Sequence, residues 1–343
     1  MAAVKYAEPV YLSAPTLLLG ERVETVTEAV ARGAIPAPVA EKYGYAELRV
    51  SDLAPVEMAE RAALSALATA GVGALDLDEV LHAWTYFQGH DFWSPAHYVA
   101  ARVGAARAVP LGVQQMCNGG MAAVEMAARH LLAEPEAQAI LVTTADRFVP
   151  PGFDRWGGDL GVCYGDAATA VVVTRAPRAP AVRLLATRTA AAAELEAMHR
   201  GHAPFSPAPL GGTTTLLPRV TKRQFNERPD RADLAKMAYA ALTDVLGRSL
   251  AAASVAPDDP RLRGVALPRL SLNGLEEVYR PAIGDVTGAE VFELGGRTGH
   301  LGAGDAVANL TSLLARDASP GAVFVLISAG AGFTWTSAVV EVA

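Results

Sequence analysis

At 343 residues and 51% hydrophobic composition, the chain can fill two core-bearing units or one large one. A net charge of −7 with no dense run of Lys and Arg argues against a nucleic-acid partner. Two cysteines exclude a framework of several disulfides and point to a reduced, cytoplasmic setting. The N-terminus also lacks the basic start and long apolar stretch of a signal peptide, and every apolar run is too short for a membrane span.

The first strong element is a helix over Leu53–Gly71, with Met58, Ala62, Leu64, Leu67 and Ala68 at helical spacing and Gly71 as its stop. Glu79–Phe87, rich in β-branched and aromatic residues, predicts a buried strand. Val109–Met116 predicts a short strand, followed by a Gly-punctuated helix from Gly119. Ile140–Thr144 and Ala168–Thr174 predict further strands. His199–Arg228, rich in Pro, Gly, Thr and Arg, reads as a loop that either covers a binding site or is simply solvated. A long amphipathic helix follows over Arg231–Leu250. Leu267–Leu272, Val291–Leu294 and Val323–Ser328 then predict strands, the first despite Pro268. The alternation predicts an α/β fold with largely parallel, buried sheets.

Cys117 lies between the Val109–Met116 strand and the helix that follows it. Unpaired N–H groups and the positive end of the helix dipole favour a thiolate there. Position alone leaves two readings open, a nucleophile that carries an acyl group or a small buried core residue. Cys163 has no base partner in its motif and reads as a core or turn residue. The chain also echoes itself. The helix after Cys117 and the strand Ile140–Thr144 are matched by a helix starting at Gly299-His300 and the strand Val323–Ser328. Ala168–Thr174 closes the first unit and Ser337–Val342 the second. Two such halves packed about a pseudo-twofold place Cys117 and His300 at equivalent helix N-termini.

Several segments carry a family resemblance: DLAPVEMAERAALSALATAGVG from Asp52, TYFQGHDFWSPAHYVAARVG from Thr85, VQQMCNGGMAA from Val113, YGDAATAVVV from Tyr164 and GAGFTWTSA from Gly330. In this order they resemble the β-ketoacyl-carrier-protein synthase III enzymes of the thiolase superfamily over nearly the full length. The resemblance implies a thiolase fold of two pseudo-symmetric halves, 1–176 carrying Cys117 and 177–343 carrying His300 and Asp305, in five αβαβα layers. It implies a homodimer, and Cys117 as the acylated nucleophile. An oxyanion hole is implied from the backbone N–H groups of Cys117 and Ala331, two donors suited to a tetrahedral oxyanion. Phe92 and Trp93 fall where the family sends a loop across the dimer into the partner's acyl pocket. The expected donor is an acyl thioester on a carrier-protein phosphopantetheine arm or on coenzyme A, with no permanently bound cofactor and no metal. The segment 40–45 lacks the tryptophan that relatives stack on the adenine of coenzyme A, and Lys42 stands near a basic residue's place; the missing tryptophan favours the carrier arm.

Departures from the pattern decide the expected chemistry. Condensing members hold a histidine in a Pro-His-Gln-Ala-Asn-like segment and an asparagine in a Gly-Asn-Thr-Ser-Ala-like segment, which together stabilise an enolate. Here Asn273 stands at the histidine's place as an auxiliary candidate, and His300 stands at the asparagine's, with Asp305 five residues on. Cys117, His300 and Asp305 then resemble the triad of ketosynthase-III-like acyltransferases of antibiotic biosynthesis. Ester or amide formation needs a base that takes a proton from an acceptor hydroxyl or amine, and a Cys-His-Asp set supplies one. The expected function is acyl transfer through Cys117 to a small sugar-like or aminocyclitol-like acceptor, with a carrier protein or polyketide synthase carrier domain as partner. Alternatives are a decarboxylative β-ketoacyl synthase and a non-catalytic polyketide synthase priming partner.

Overall fold

The two halves of the chain lay down the same elements in the same order. The computed structural model describes residues 3–201, 204–207, 214–229 and 232–343. The first half holds β1 (Tyr11–Leu19), α1 (Pro55–Ala70), β2 (Glu79–Ala83), β3 (Val109–Val113), α2 (Gly119–Ala133), β4 (Ala139–Asp146) and β5 (Ala167–Thr174). The second holds β6 (Ala181–Ala191), α3 (Leu234–Ala253), β7 (Leu262–Ala266), β8 (Val291–Phe292), α4 (Asp305–Arg316), β9 (Val323–Gly330) and β10 (Thr334–Val342). The strands join in the order β8-β7-β9-β10-β6-β1-β5-β4-β2-β3. Outward from the β6–β1 join, the arms run β1-β5-β4-β2-β3 and β6-β10-β9-β7-β8, which is one topology used twice. We propose that the halves divide at 176/177, within the connection between β5 and β6.

Side-chain alternation along the strands builds the layers. In β4, Ile140 and Val142 pack with Val124 and Leu131 of α2, Leu310 and Leu313 of α4, and Phe324 and Leu326 of β9. Leu141 faces the other way, onto Met58 and Leu67 of α1. Leu242 and Leu246 of α3 cover Val325, Ile327 and Val339. Helices α2 and α4 therefore lie between the two arms, with α1 and α3 outside them, giving five alternating layers around a shared central core.

Several predicted elements differ in detail. The sheet is mixed: β2 is parallel to β3 and β4, and β7 to β8 and β9, whereas β4–β5, β1–β5, β9–β10 and β6–β10 are antiparallel. A three-residue turn joins β9 to β10, and a connection that short can only make a hairpin. β2 ends at Ala83 and not at Phe87, because the Thr85 and Tyr86 N–H groups donate to the Asp146 carboxylate at 2.8 Å. The strand expected at Leu267–Leu272 is absent. Pro268 has no N–H, the Arg269 N–H donates to Asp305, and residues from Leu272 turn helical. The long helix begins at Leu234, where the Asp233 side chain caps the Lys236 N–H; the expected start at Arg231 lies outside the described residues. Within 199–228, the structure has helical Ala197–Arg200 and Pro218–Asn226 where the composition predicts a loop; residues 202–203 and 208–213 lie outside the described residues. His300 precedes its helix, which begins at Asp305 after a short 3-10 turn.

Helix α2 meets the His300 segment at Gly120. A Cβ there would sit 2.3 Å from the Ala303 carbonyl oxygen and 2.9 Å from Thr144 Cγ2. Gly120→Ala should therefore push the cysteine helix off the 302–304 turn and cost about 1–3 kcal/mol. Thermal melting and thioester loading should both fall. Wild-type values of both would contradict this account of how the halves are held.

Candidate active site

Both halves deliver their reactive side chains to one place. Met116 adopts φ +49°, a left-handed conformation uncommon for a bulky residue, immediately before Cys117. Cys117 is partly accessible, and Asn118 stands at the N-cap of α2. From the other half, the His300 N–H donates to the Cys163 carbonyl at 2.9 Å, and the His300 carbonyl accepts from Gly165 N–H at 2.9 Å. Gly299 makes this close approach possible: its φ is +79°, and a Cβ would sit 2.7 Å from the Gly165 nitrogen.

His300 is 2% exposed, and its Nδ1 lies 2.6 Å from Asp305 Oδ2. Cys117 adds to the effect of Asp305 in favouring the protonated form of the His300 ring. Asp305 is itself held. Its Oδ1 accepts from the Leu301 N–H at 2.8 Å, and its Oδ2 accepts from the Arg269 N–H at 2.7 Å. Burial alone would lower the His300 pKa, but the charges and hydrogen bonds of Asp305 and Cys117 outweigh it and hold it well above the usual value. Burial alone would raise that of Asp305, but His300 and the buried Arg269 charge hold it below the usual carboxylate value. Burial lowers the Arg269 guanidinium to about 10, which leaves it cationic at neutral pH. That guanidinium is anchored on Asn309 Oδ1, Thr298 Oγ1 and the Leu294 carbonyl.

The turn between β9 and β10 carries Ala331. Its position is set by Gly330, where a Cβ would lie 2.6 Å from the Asn118 backbone nitrogen. The Ala331 backbone thus belongs to a turn packed on the cysteine loop. Asn273 lies at the start of a helical run: Leu272–Gly274, a π-helical turn Leu275–Tyr279, then Arg280–Gly284. The structure of one chain does not bring Phe92 and Trp93 to Cys117. Phe92 is fully exposed at φ +53°, and Trp93 packs edge-on against His90 and Tyr98. Lys42 falls in the last turn of the short helix Ala37–Tyr43. Cys163 is buried, and burial pushes its thiol above the usual range.

Four residues of the site escaped the sequence reading. Asp146, fully buried, accepts from the N–H groups of Thr85, Tyr86 and Ala303, so it ties the segment after β2 to the His300 turn. Burial pushes its carboxyl up to about 7 against those three donors. Tyr164 sets its ring edge-on to His300, 5.3 Å between centroids, and donates its hydroxyl to Asp159 at 2.7 Å. Burial raises the Tyr279 phenol, and the Cys117 charge adds to the rise. Arg269 backs Asp305. A charged residue inside an apolar segment was the available signal for Asp146 and Arg269; the two tyrosines gave none.

A twice-repeated α/β fold with a cysteine and a histidine at its centre defines a thiolase-fold enzyme. Residues 111–193 match the family model described as 3-oxoacyl-[acyl-carrier-protein] synthase III. The fold is similar to that of the acyltransferase ChlB3, at 30% identity over 97% of this chain and 98% of that one, TM-score 0.87. It is also similar to 3-oxoacyl-[acyl-carrier-protein] synthase III from Aquifex aeolicus VF5, at 20% identity over 97% and 99%, TM-score 0.76. A third likeness is to a Xanthomonas campestris OleA variant with bound lauric acid and lauroyl-CoA, at 17% identity over 97% and 99%, TM-score 0.73. No curated protein sequence matches the chain. The chain belongs to the ketoacyl synthase III-like family of the thiolase superfamily. Among the described residues, no helix is long and apolar enough to cross a membrane.

The pH behaviour of the buried pair has a definite sign. The raised His300 pKa gives stability that is full below its ordinary 6.5 and is lost as pH rises through the higher folded value. The lowered Asp305 pKa gives stability present above its ordinary 3.8 and lost as pH falls through the lower folded value. Neutral pH lies in the shared window. Asp305→Asn should lower the His300 pKa by about one unit or more, read by NMR of the labelled imidazole. An unmoved titration would show that Asp305 does not hold the ring's charge.

Proposed function

We propose that the protein is an acyltransferase. It takes an acyl group from a thioester onto Cys117 and passes it to a hydroxyl or amine of a small molecule, sugar-like or aminocyclitol-like, in natural-product assembly. The observation that carries this reading is the His300–Asp305 pair set against Cys117, with an asparagine, Asn273, where the resemblance expects an enolate-stabilising histidine. The likeness to ChlB3 supports it.

In the first half-reaction the Cys117 thiolate attacks the donor carbonyl carbon, and the C–S bond to the carrier breaks. The His300 imidazolium gives its Nε2 proton to the departing thiolate and is left neutral. The N–H groups of Cys117 and Ala331 stabilise the tetrahedral oxyanion. In the second, the acceptor oxygen or nitrogen attacks the Cys117 thioester, its proton passes to His300, and the Cys117 thiolate leaves. Asp305 keeps Nδ1 protonated and the ring oriented throughout. A Claisen condensation needs two donors around an enolate. The Asp305 pairing at Nδ1 instead suits His300 to accept and return a proton at Nε2.

The donor is a phosphopantetheine arm or coenzyme A, and the working unit is a homodimer. Strand β3 is a sheet edge with Val109 and Leu111 exposed, and the fully exposed Phe92 lies on the connection between β2 and β3. A partner that covers this edge gives Phe92 a counterpart to pack on and places it with Trp93 at the partner's acyl pocket.

Intact-protein mass spectrometry tests the assignment. Cys117→Ala should show no acyl adduct with any thioester. His300→Ala should depress transfer by about 10³-fold or more, and Asp305→Asn less, with loading still measurable. An adduct on the alanine variant, or wild-type transfer in both others, would sink the triad.

A further inference from the structure

Twelve buried side-chain polar atoms among the described residues have no hydrogen-bond partner, and four belong to segments that build the active site: Asn118 Oδ1, Ser271 Oγ, Asn273 Oδ1 and Thr334 Oγ1. Native proteins leave few such atoms, and each calls for a reason. A hollow that receives a polar molecule is one. Asn118 Oδ1 lies beside the nucleophile, but the same carboxamide already gives its Nδ2 hydrogen to Thr336 Oγ1 at 3.0 Å. The Asn273 carboxamide oxygen has no such anchor among the described residues.

The backbone around Asn273 is fixed on both sides. The Arg269 N–H is bound to Asp305, the Ser271 N–H donates to the Gly161 carbonyl at 3.2 Å, and the Leu275 N–H donates to the Ser271 carbonyl at 3.0 Å. Six residues on, the π-helical turn ends at the buried Tyr279. The run that begins at Arg269 is therefore tied directly to the aspartate of the triad. Asn273, four residues on, carries a solvent-shielded acceptor oxygen. An amide cannot take a proton at neutral pH, but its oxygen accepts a hydrogen bond from O–H or N–H.

We propose that Asn273 is the acceptor-holding residue: its Oδ1 accepts a hydrogen bond from the incoming hydroxyl, amine or water and holds the attacking atom between acyl-Cys117 and His300. The inference rests on the acyltransferase reading. In the step it serves, the acceptor oxygen or nitrogen bonds to the thioester carbon, the C–S bond breaks, Cys117 leaves as thiolate, and the proton lost from the attacking atom goes to His300. Ser271 Oγ, two residues back, is the second polar atom offered to a polyhydroxylated acceptor.

Water is the simplest acceptor, so the test needs no knowledge of the natural one. The full-length protein is loaded with an acyl N-acetylcysteamine thioester, and loss of the Cys117 adduct is followed by mass in buffer and in hydroxylamine. Hydroxylamine attacks without help and reports that the adduct is accessible and the site folded. In Asn273→Ala the ratio of hydrolysis to loading should fall about tenfold, and the ratio of hydrolysis to hydroxylamine capture should fall with it. Asn273→Asp, which keeps an acceptor oxygen, should recover most of both. Unchanged ratios in the alanine variant would overturn the proposal. So would a parallel loss of loading and hydrolysis, or an aspartate variant as slow as the alanine. Decarboxylation of a malonyl thioester by the wild type would instead defeat the acyltransferase reading, and it is measured separately from these ratios.

Discussion

The hydrogen-bonded ion pair between His300 and Asp305 is the interaction on which the rest of the site depends. Both groups are almost fully shielded from water, where an unpaired charge is expensive and breaking one partner of a pair costs about 3–5 kcal/mol. The fold satisfies the pair from every side. Leu301 and Arg269 give N–H donors to the carboxylate, the buried Arg269 guanidinium adds positive charge beside it, and Cys117 further favours the protonated imidazole. One buried carboxylate thus fixes the ring orientation, its charge and the shape of the loop before the long helical run.

Two halves are needed to make that arrangement. Cys117 hangs from the first and His300 from the second, and neither half holds both. Their meeting is enforced by backbone approaches so close that side chains are excluded: Gly120 on Ala303, Gly330 on Asn118 and Gly299 on Gly165. Asp146 adds a polar stitch across the same seam by taking N–H groups from residues 85, 86 and 303. Duplication of one topology creates the seam, and the glycines and the buried carboxylate close it to hydrogen-bond distance.

The α/β alternation and the repeat were legible because buried strands such as 139–146 and 323–330 are largely apolar runs. Cys117 and His300 stood out for a related reason, as reactive residues set among glycines. Side-chain demands on the backbone were not legible. Nothing in the aromatic run after Ala83 says that Asp146 will take its N–H groups and end the strand. Nor does the apolar segment at 267–272 say that Asp305 will claim the Arg269 N–H. Both are long-range bonds between residues 36 to 61 positions apart, and local pattern carries no information about them. Phe92 is a different case: its sequence neighbourhood suggests a pocket wall, and one chain alone leaves it in solvent.

The central claim is that this site moves an acyl group intact to oxygen or nitrogen and does not condense it with a malonyl unit. Pairing with Asp305 at Nδ1 orients His300 as a base beside Cys117, which is the role that acyl transfer to oxygen or nitrogen asks of it. The most direct measurement supplies acyl-loaded enzyme with malonyl thioester labelled at its free carboxylate and follows labelled carbon dioxide together with any β-keto product. The account predicts that neither forms above background while acyl-Cys117 remains competent for transfer to oxygen or nitrogen. Stoichiometric release of carbon dioxide with a β-keto product would contradict it.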